Sequence, residues 1–270
     1  WVSATVGFAA PTALAASTLG SYLAASGLSV NPTWVATVAI VLLTTAHCTS
    51  HRRSGGTQTT FTLLKLFLIL GFSAAALLLG STDHQADFTW TSDSGALLGS
   101  GAFAVSLIYV NYAYSGWNAA TYISGELTSP QKSLPWVLGI STTLVAVLYC
   151  LLNYVFLSVA PIDAMMGKVE IGVIAAEFAF GSTLGASMGL LLALLLISSI
   201  SAMILAGPRV LQRIGQDYPR FAPLARQNRD GIPVTAILLQ SAIALLFLWS
   251  ASFEQILIFS GATMALNTFA

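Results

Sequence analysis

The most informative charge in the sequence is Lys65, set in the apolar run LLKLFLIL. A lysine at membrane depth costs about 2.5–3.5 kcal/mol on insertion scales, so its presence points to a function. The alternative is snorkelling. Lys65 lies about eight residues, or about 12 Å of helix, beyond Thr57, and its own stem could carry the ammonium to cytoplasmic water. Three hydroxyls, Ser198, Ser199 and Ser201, follow a second apolar run, LLLALLLI. Hydroxyls at that depth glue helices together or coordinate an ion or an ammonium. His47 and His51 are four apart but have no third ligand nearby, so solvated loop histidines is the better reading. Nothing in the chain matches GxxxxGK[ST], HExxH or CxxC, and no metal or cofactor site is expected.

A second concentration of polar groups lies within FAVSLIYVNYAYSGWNAATYISGELTSPQKSLP, residues 103–135. A plain membrane anchor has no use for Asn111, Ser115, Gly116 and Asn118. Ser115-Gly116 is a poor helical pair, and interrupted helix in lipid survives only where protein or a wet cavity satisfies the freed backbone groups. The spacing predicts a break at Tyr114-Ser115-Gly116. Main chain from Tyr112 through Ala113 to Asn118 then faces a ligand. Tyr112, Tyr114 and Trp117 flank the break, where aromatic rings either close over a substrate or simply pack. Glu126 either pairs with a loop arginine to shut the cytoplasmic side or is a solvated helix-end acid.

These groups need helices to hold them. Of 270 residues, 56% are hydrophobic and 7% charged, which places the chain in the membrane class. Ten basic and ten acidic side chains cancel, so nothing suggests nucleic acid. Cys48 and Cys150 have no metal spacing and read as buried small hydrophobes. At about 20 apolar residues per crossing, spans are expected near 1–25, 33–48, 57–80, 99–124, 134–160, 183–207 and 233–250, with a further one from about 254. Pro11 should kink the first. Pro130 and Pro135 stop one helix and start the next, and the sixth span ends near Arg209. Ile171 to Phe180 reads as a short helix across the outer mouth. Gly181, Gly185 and Gly189 suit close helix packing, within the chain rather than in a dimer. Arg52, Arg53, Lys132 and the five arginines from Arg209 to Arg229 fall in alternate connections, which are therefore cytoplasmic. Both ends look cut inside or beside helices, as in a piece of a longer protein.

YAYSGWNAATYISGELTSPQKSLP, followed by a span with Leu148, Tyr149, Leu152 and Asn153, resembles the amino acid–polyamine–organocation permeases, especially bacterial members related to the L-type exchangers. LAGPRVLQRIGQDYPRFAPLARQNRDGIPV fits the same family. The resemblance implies an all-α integral membrane fold, an inverted repeat of five helices plus five, with this chain covering about helices three to ten. It implies that Tyr112 gates the substrate and that the carbonyls of Tyr114, Ser115, Gly116 and Trp117 take the substrate ammonium, with Asn118 holding the break. It places Lys65 where sodium-coupled relatives hold a sodium ion, with Ser198, Ser199 and Ser201 close by.

The expected function is sodium-independent transport of amino acids across the cell membrane by alternating access, with exchange and proton coupling both open. The expected partners are an amino acid or amine and the bilayer. The family's first two helices are missing, so the fragment alone is not expected to transport. A polyamine permease and a non-transporting sensor or scaffold are the alternatives. A membrane-embedded enzyme would need intramembrane acids or histidines on facing helices, and the spans hold almost none.

Overall fold

The computed structural model describes residues 2–49, 54–80, 89, 94–118 and 129–269. The described residues contain helices and connections and no strand. The longer helices are α1 (Val2–Ala25), α2 (Pro32–Thr49), α3 (Ser54–Leu79), α4 (Gly101–Ala113), α5 (Pro130–Val159), α6 (Ile171–Phe180), α7 (Ser182–Asp217), α8 (Val234–Ser250) and α9 (Phe253–Phe269). Among the described residues, four are long and apolar enough to cross a membrane by length and composition alone: α2, α3 from Thr59, α5 and α7.

Helix α1 is the hub. It packs on α2, α7, α8 and α9. Its sequence explains this, because Ala9, Ala10, Ala13 and Ala16 are wholly buried and leave no bulk on the packing faces. Lipid tails are as apolar as leucine, so helices in a bilayer associate by close contact of small residues rather than by burial from water. Ala9, Ala13 and Ala16 meet Ile40 of α2, Ala193, Ile200 and Ile204 of α7, and Ile237 and Ala244 of α8 in one core, while Ala10 and Leu14 join Ile256 of α9 in a smaller one. A second core joins α3, α5 and α6 around Phe72, Val155 and Ala176.

Each expected span holds a helix among the described residues, the fourth as far as Ala113, with two differences. The sixth does not end near Arg209. α7 runs through Pro208 to Asp217, and an Arg213–Asp217 ion pair of 3.4 Å lies on its last turns. Pro208 removes one backbone donor, yet Gly207, Pro208 and Leu211 are all buried, so tertiary packing carries the helix past the gap. Pro130 opens α5, but Pro135 lies inside it rather than starting a helix. Pro11 lies inside α1, where the kink is expected.

Gly185 and Gly189 pack within the chain, whereas Gly181 has nothing within 4 Å of where a side chain would begin and caps α6 with φ 87°. A side chain at Gly185 would strike Glu177 of α6, and one at Gly189 would strike Ser26 and Val173. Helix α6 is present as expected. It lies against α7, α5 and α3, with Gly172 at the Tyr22 hydroxyl and Ala179 at Gly80, where α1 and α3 end. The cysteines depart from the expectation: Cys150 is exposed and Cys48 is half-buried.

Candidate functional site

Helix α4 stops at Ala113. Tyr114 has φ −98° and ψ 0°, and Ser115–Asn118 form a single 3₁₀ turn. A helix end leaves its last carbonyls without partners, and side chains meet some of that need here. The Tyr114 amide is shared between the carbonyls of Val110 and Asn111, at 3.2 Å each. The Ser115 hydroxyl donates to the Tyr112 carbonyl at 2.8 Å. The Tyr149 hydroxyl, from α5, donates to the Ala113 carbonyl at 3.3 Å. The α-helix therefore gives way at the Tyr-Ser-Gly sequence where the break was expected.

Beside the break is a cavity of about 460 Å³. The broken segment contributes Tyr112, Ala113, Ser115 and Gly116 to its wall. Helix α1 contributes Gly7 and Pro11. Proline has no amide hydrogen, so the Gly7 carbonyl lacks its usual helical donor, and main-chain polarity faces this space from α1 as well. Ser199 and Met203 of α7, Tyr149 of α5 and Met264 of α9 also line the cavity, among mostly apolar neighbours. Nothing lies within 4 Å of where a Gly116 side chain would begin.

Lys65 does not reach away to water. Its Nζ donates to the Ser199 hydroxyl at 2.8 Å, and the lysine is half-buried between α3 and α7. Ser199 thus touches both the ammonium and the cavity. The other two serines do different work. Ser198 is buried and donates to the carbonyl of Leu195 in its own helix, at 2.9 Å. Ser201 faces His47 of α2, with 2.8 Å between Nε2 and the hydroxyl. His47 is half-buried in a helix contact, which corrects its reading as a solvated loop residue.

The aromatic residues divide. Tyr112 walls the cavity and also packs among Ala10 and Leu14 of α1 and Ile256 and Leu257 of α9. Tyr114 and Trp117 turn to the other side of the break. With Ser141, Thr142 and Val145 of α5 they line a smaller cavity of about 260 Å³. Ala113, Gly116 and Tyr149 belong to both spaces. The Tyr149 and Tyr114 rings meet edge to face, centroids 5.3 Å apart. Asn118 closes the 3₁₀ turn, and its side chain and Glu126 lie outside the described residues. Among the described residues no three His, Cys, Asp or Glu side chains gather where a metal could sit.

Three polar residues went unread in the sequence. Gln240, in α8, is 1% exposed, and its Nε2 donates to the Met203 carbonyl at 2.9 Å, beside the cavity. Its Oε1 has no partner and presses on Gly207. Thr44 donates to Ser241 at 2.7 Å, tying α2 to α8. A lone glutamine inside AILLQSAIALL was the available signal.

The comparisons with known proteins agree with this architecture. A profile of the amino acid permeases matches residues 1–270. The rabbit (Oryctolagus cuniculus) b(0,+)-type amino acid transporter 1 is 33% identical over 125 residues, 46% of this chain and 26% of the relative. The human (Homo sapiens) protein of that name is 29% identical over 139 residues, 52% and 28% of the two chains. The mouse (Mus musculus) large neutral amino acids transporter small subunit 2 is 29% identical over 156 residues, 56% and 28%. The matched stretches thus span little more than a quarter of these relatives' own length. With a profile match from end to end and apolar helices of membrane length, this chain is a multi-pass membrane protein that belongs to the amino acid permease family.

Proposed function

We propose that the chain forms the larger part of a secondary transporter that moves amino acids across the cell membrane by alternating access, without sodium. One observation carries the reading. Interrupted main chain at Tyr112–Gly116 lines the same cavity as Ser199, and Ser199 is bound by the Lys65 ammonium. Irregular backbone at membrane depth is tolerated where it lines a cavity, and broken helices are the usual place for substrate in transporters built on inverted repeats. The carbonyls at the break suit an amino acid's ammonium, and Tyr112 covers the site from the side of α9. Lys65 supplies a fixed positive charge at Ser199, so no sodium ion is needed there. On this reading the chain carries about helices three to ten of the repeat and is no enzyme. The amino acid transporters it resembles support the substrate class.

The test is uptake of labelled leucine, arginine and glutamate by proteoliposomes holding the complete protein, with and without sodium. Saturable uptake of at least one, unchanged when sodium is replaced by choline, is the expected result. No uptake or exchange of any would refute the proposal. Gly116→Phe fills the space beside the break and should raise the half-saturation concentration about tenfold or more. Gly116→Ala, which meets nothing within 4 Å, should stay within about threefold. An unaltered half-saturation in Gly116→Phe would remove the break from the site.

A further inference from the structure

Helices α4 and α9 meet along one seam. On α9, Glu254, Leu257, Gly261 and Met264 recur at the three- and four-residue spacing of one helix face. On α4, Tyr109 and Tyr112 are three apart and share a face. The two stripes join at every level. At the start of α9, the Tyr109 hydroxyl donates to Glu254 Oε1 at 3.0 Å. Further along, Tyr112 and Leu257 border the same small core of Ala10, Leu14 and Ile256. At Gly261 the helices are closest: an added side-chain carbon there would lie 2.7 Å from Ile108 Cγ2 and 3.1 Å from the Ile108 carbonyl. Met264 then lines the large cavity, as Tyr112 does. The tyrosine–carboxylate bond lies about 15 Å up α9 from Met264, at the end facing the connections poor in arginine.

The chemistry of the pair is unlike the rest of the seam. Glu254 is exposed, in the first turn of α9, and it is the one charged residue in the sequence of either helix. Below it the seam is mostly apolar and uncharged, with the Tyr112 hydroxyl directed to Ser260 and Gly261 set against Ile108. A hydrogen bond from a hydroxyl to a carboxylate is directional and about twice as strong as a neutral one. It fixes one relative position of α4 and α9.

We propose that the Tyr109–Glu254 hydrogen bond is the outer latch of the transporter: it holds α4 on α9 while the cavity is shut toward the outside, and it must break for substrate to enter from that side. The inference rests on the transport reading above. A contact made only in the outward-closed form lowers apparent affinity from outside, because binding has to draw on the minor open fraction. Removing the contact enlarges that fraction.

Three variants of the complete protein separate latch from charge. Tyr109→Phe keeps the ring and removes the donor. Glu254→Ala removes the acceptor. Glu254→Gln keeps an acceptor oxygen and removes the charge. Uptake is measured in oriented proteoliposomes with substrate outside, then with substrate inside. Tyr109→Phe and Glu254→Ala should each lower the external half-saturation about threefold without lowering the internal one. Glu254→Gln should stay within twofold of wild type on both sides. The latch is overturned if all three match wild type, if Glu254→Gln shifts as far as Tyr109→Phe, or if both sides shift together as from general loosening. Thermal unfolding of each purified variant identifies any that is misfolded, and the remaining donor or acceptor variant then decides. Wild-type protein that carries no amino acid refutes the transport reading itself; active wild type with unshifted variants refutes the latch alone.

Discussion

Lys65 shows how much one side chain's partner matters. From sequence its ammonium could equally have reached headgroup water, and the structure shows it on Ser199 instead. A hydrogen bond to a charged group contributes about 1.5–3 kcal/mol when both partners are held. Lys65→Ala should therefore lower kcat/KM for uptake by about tenfold to a hundredfold. Ser199→Ala should lower it less, and the double variant should be no worse than Lys65→Ala. Initial uptake rates over a substrate series give all three values, and additive losses would show that the pair does not act as a unit. The sequence displayed three serines of equal promise at 198, 199 and 201. Which one reaches the lysine depends on the rotation of α7 about its axis, and spacing within one helix does not set that.

Among the helices, glycine decides how near two axes come. Gly185 lies against the backbone of α6, where an added carbon would fall 3.1 Å from the Glu177 Cα and closer still to its side chain. A leucine there must push α6 off α7. Gly185→Leu should cost about 1–3 kcal/mol and lower the thermal midpoint by several degrees in detergent. Gly71→Leu, on an exposed face of α3 with nothing within 4 Å, should leave the midpoint in place. The break in α4 was legible because Ser-Gly in an apolar run has a local cause. The passage of α7 through Pro208 was not, since it depends on buried neighbours distant in sequence. His47 was misread for a similar reason: its partner, Ser201, lies 154 residues away.

At the scale of the molecule, the alternation of basic connections sets the orientation. Lys168 and Arg220 are both exposed and belong to opposite faces on that rule. In a background with Cys48 and Cys150 replaced by alanine, Lys168→Cys should react with an impermeant thiol reagent added to intact cells. Arg220→Cys should react only after permeabilisation. The reverse pattern would invert the topology and move the proposed latch to the cytoplasmic side. The spans were readable in the sequence because apolar length is a property of each segment alone. The central place of α1 was less so: its alanines announce close contact without naming the helices that make it.

Tyr149 stands between two chambers. Its ring borders both, and its hydroxyl is spent on the Ala113 carbonyl. A guest short enough for the larger room leaves that partition undisturbed. On the proposed transport reading, a longer one has to swing the ring aside and surrender its hydrogen bond, which would make Tyr149 a ruler for the cargo.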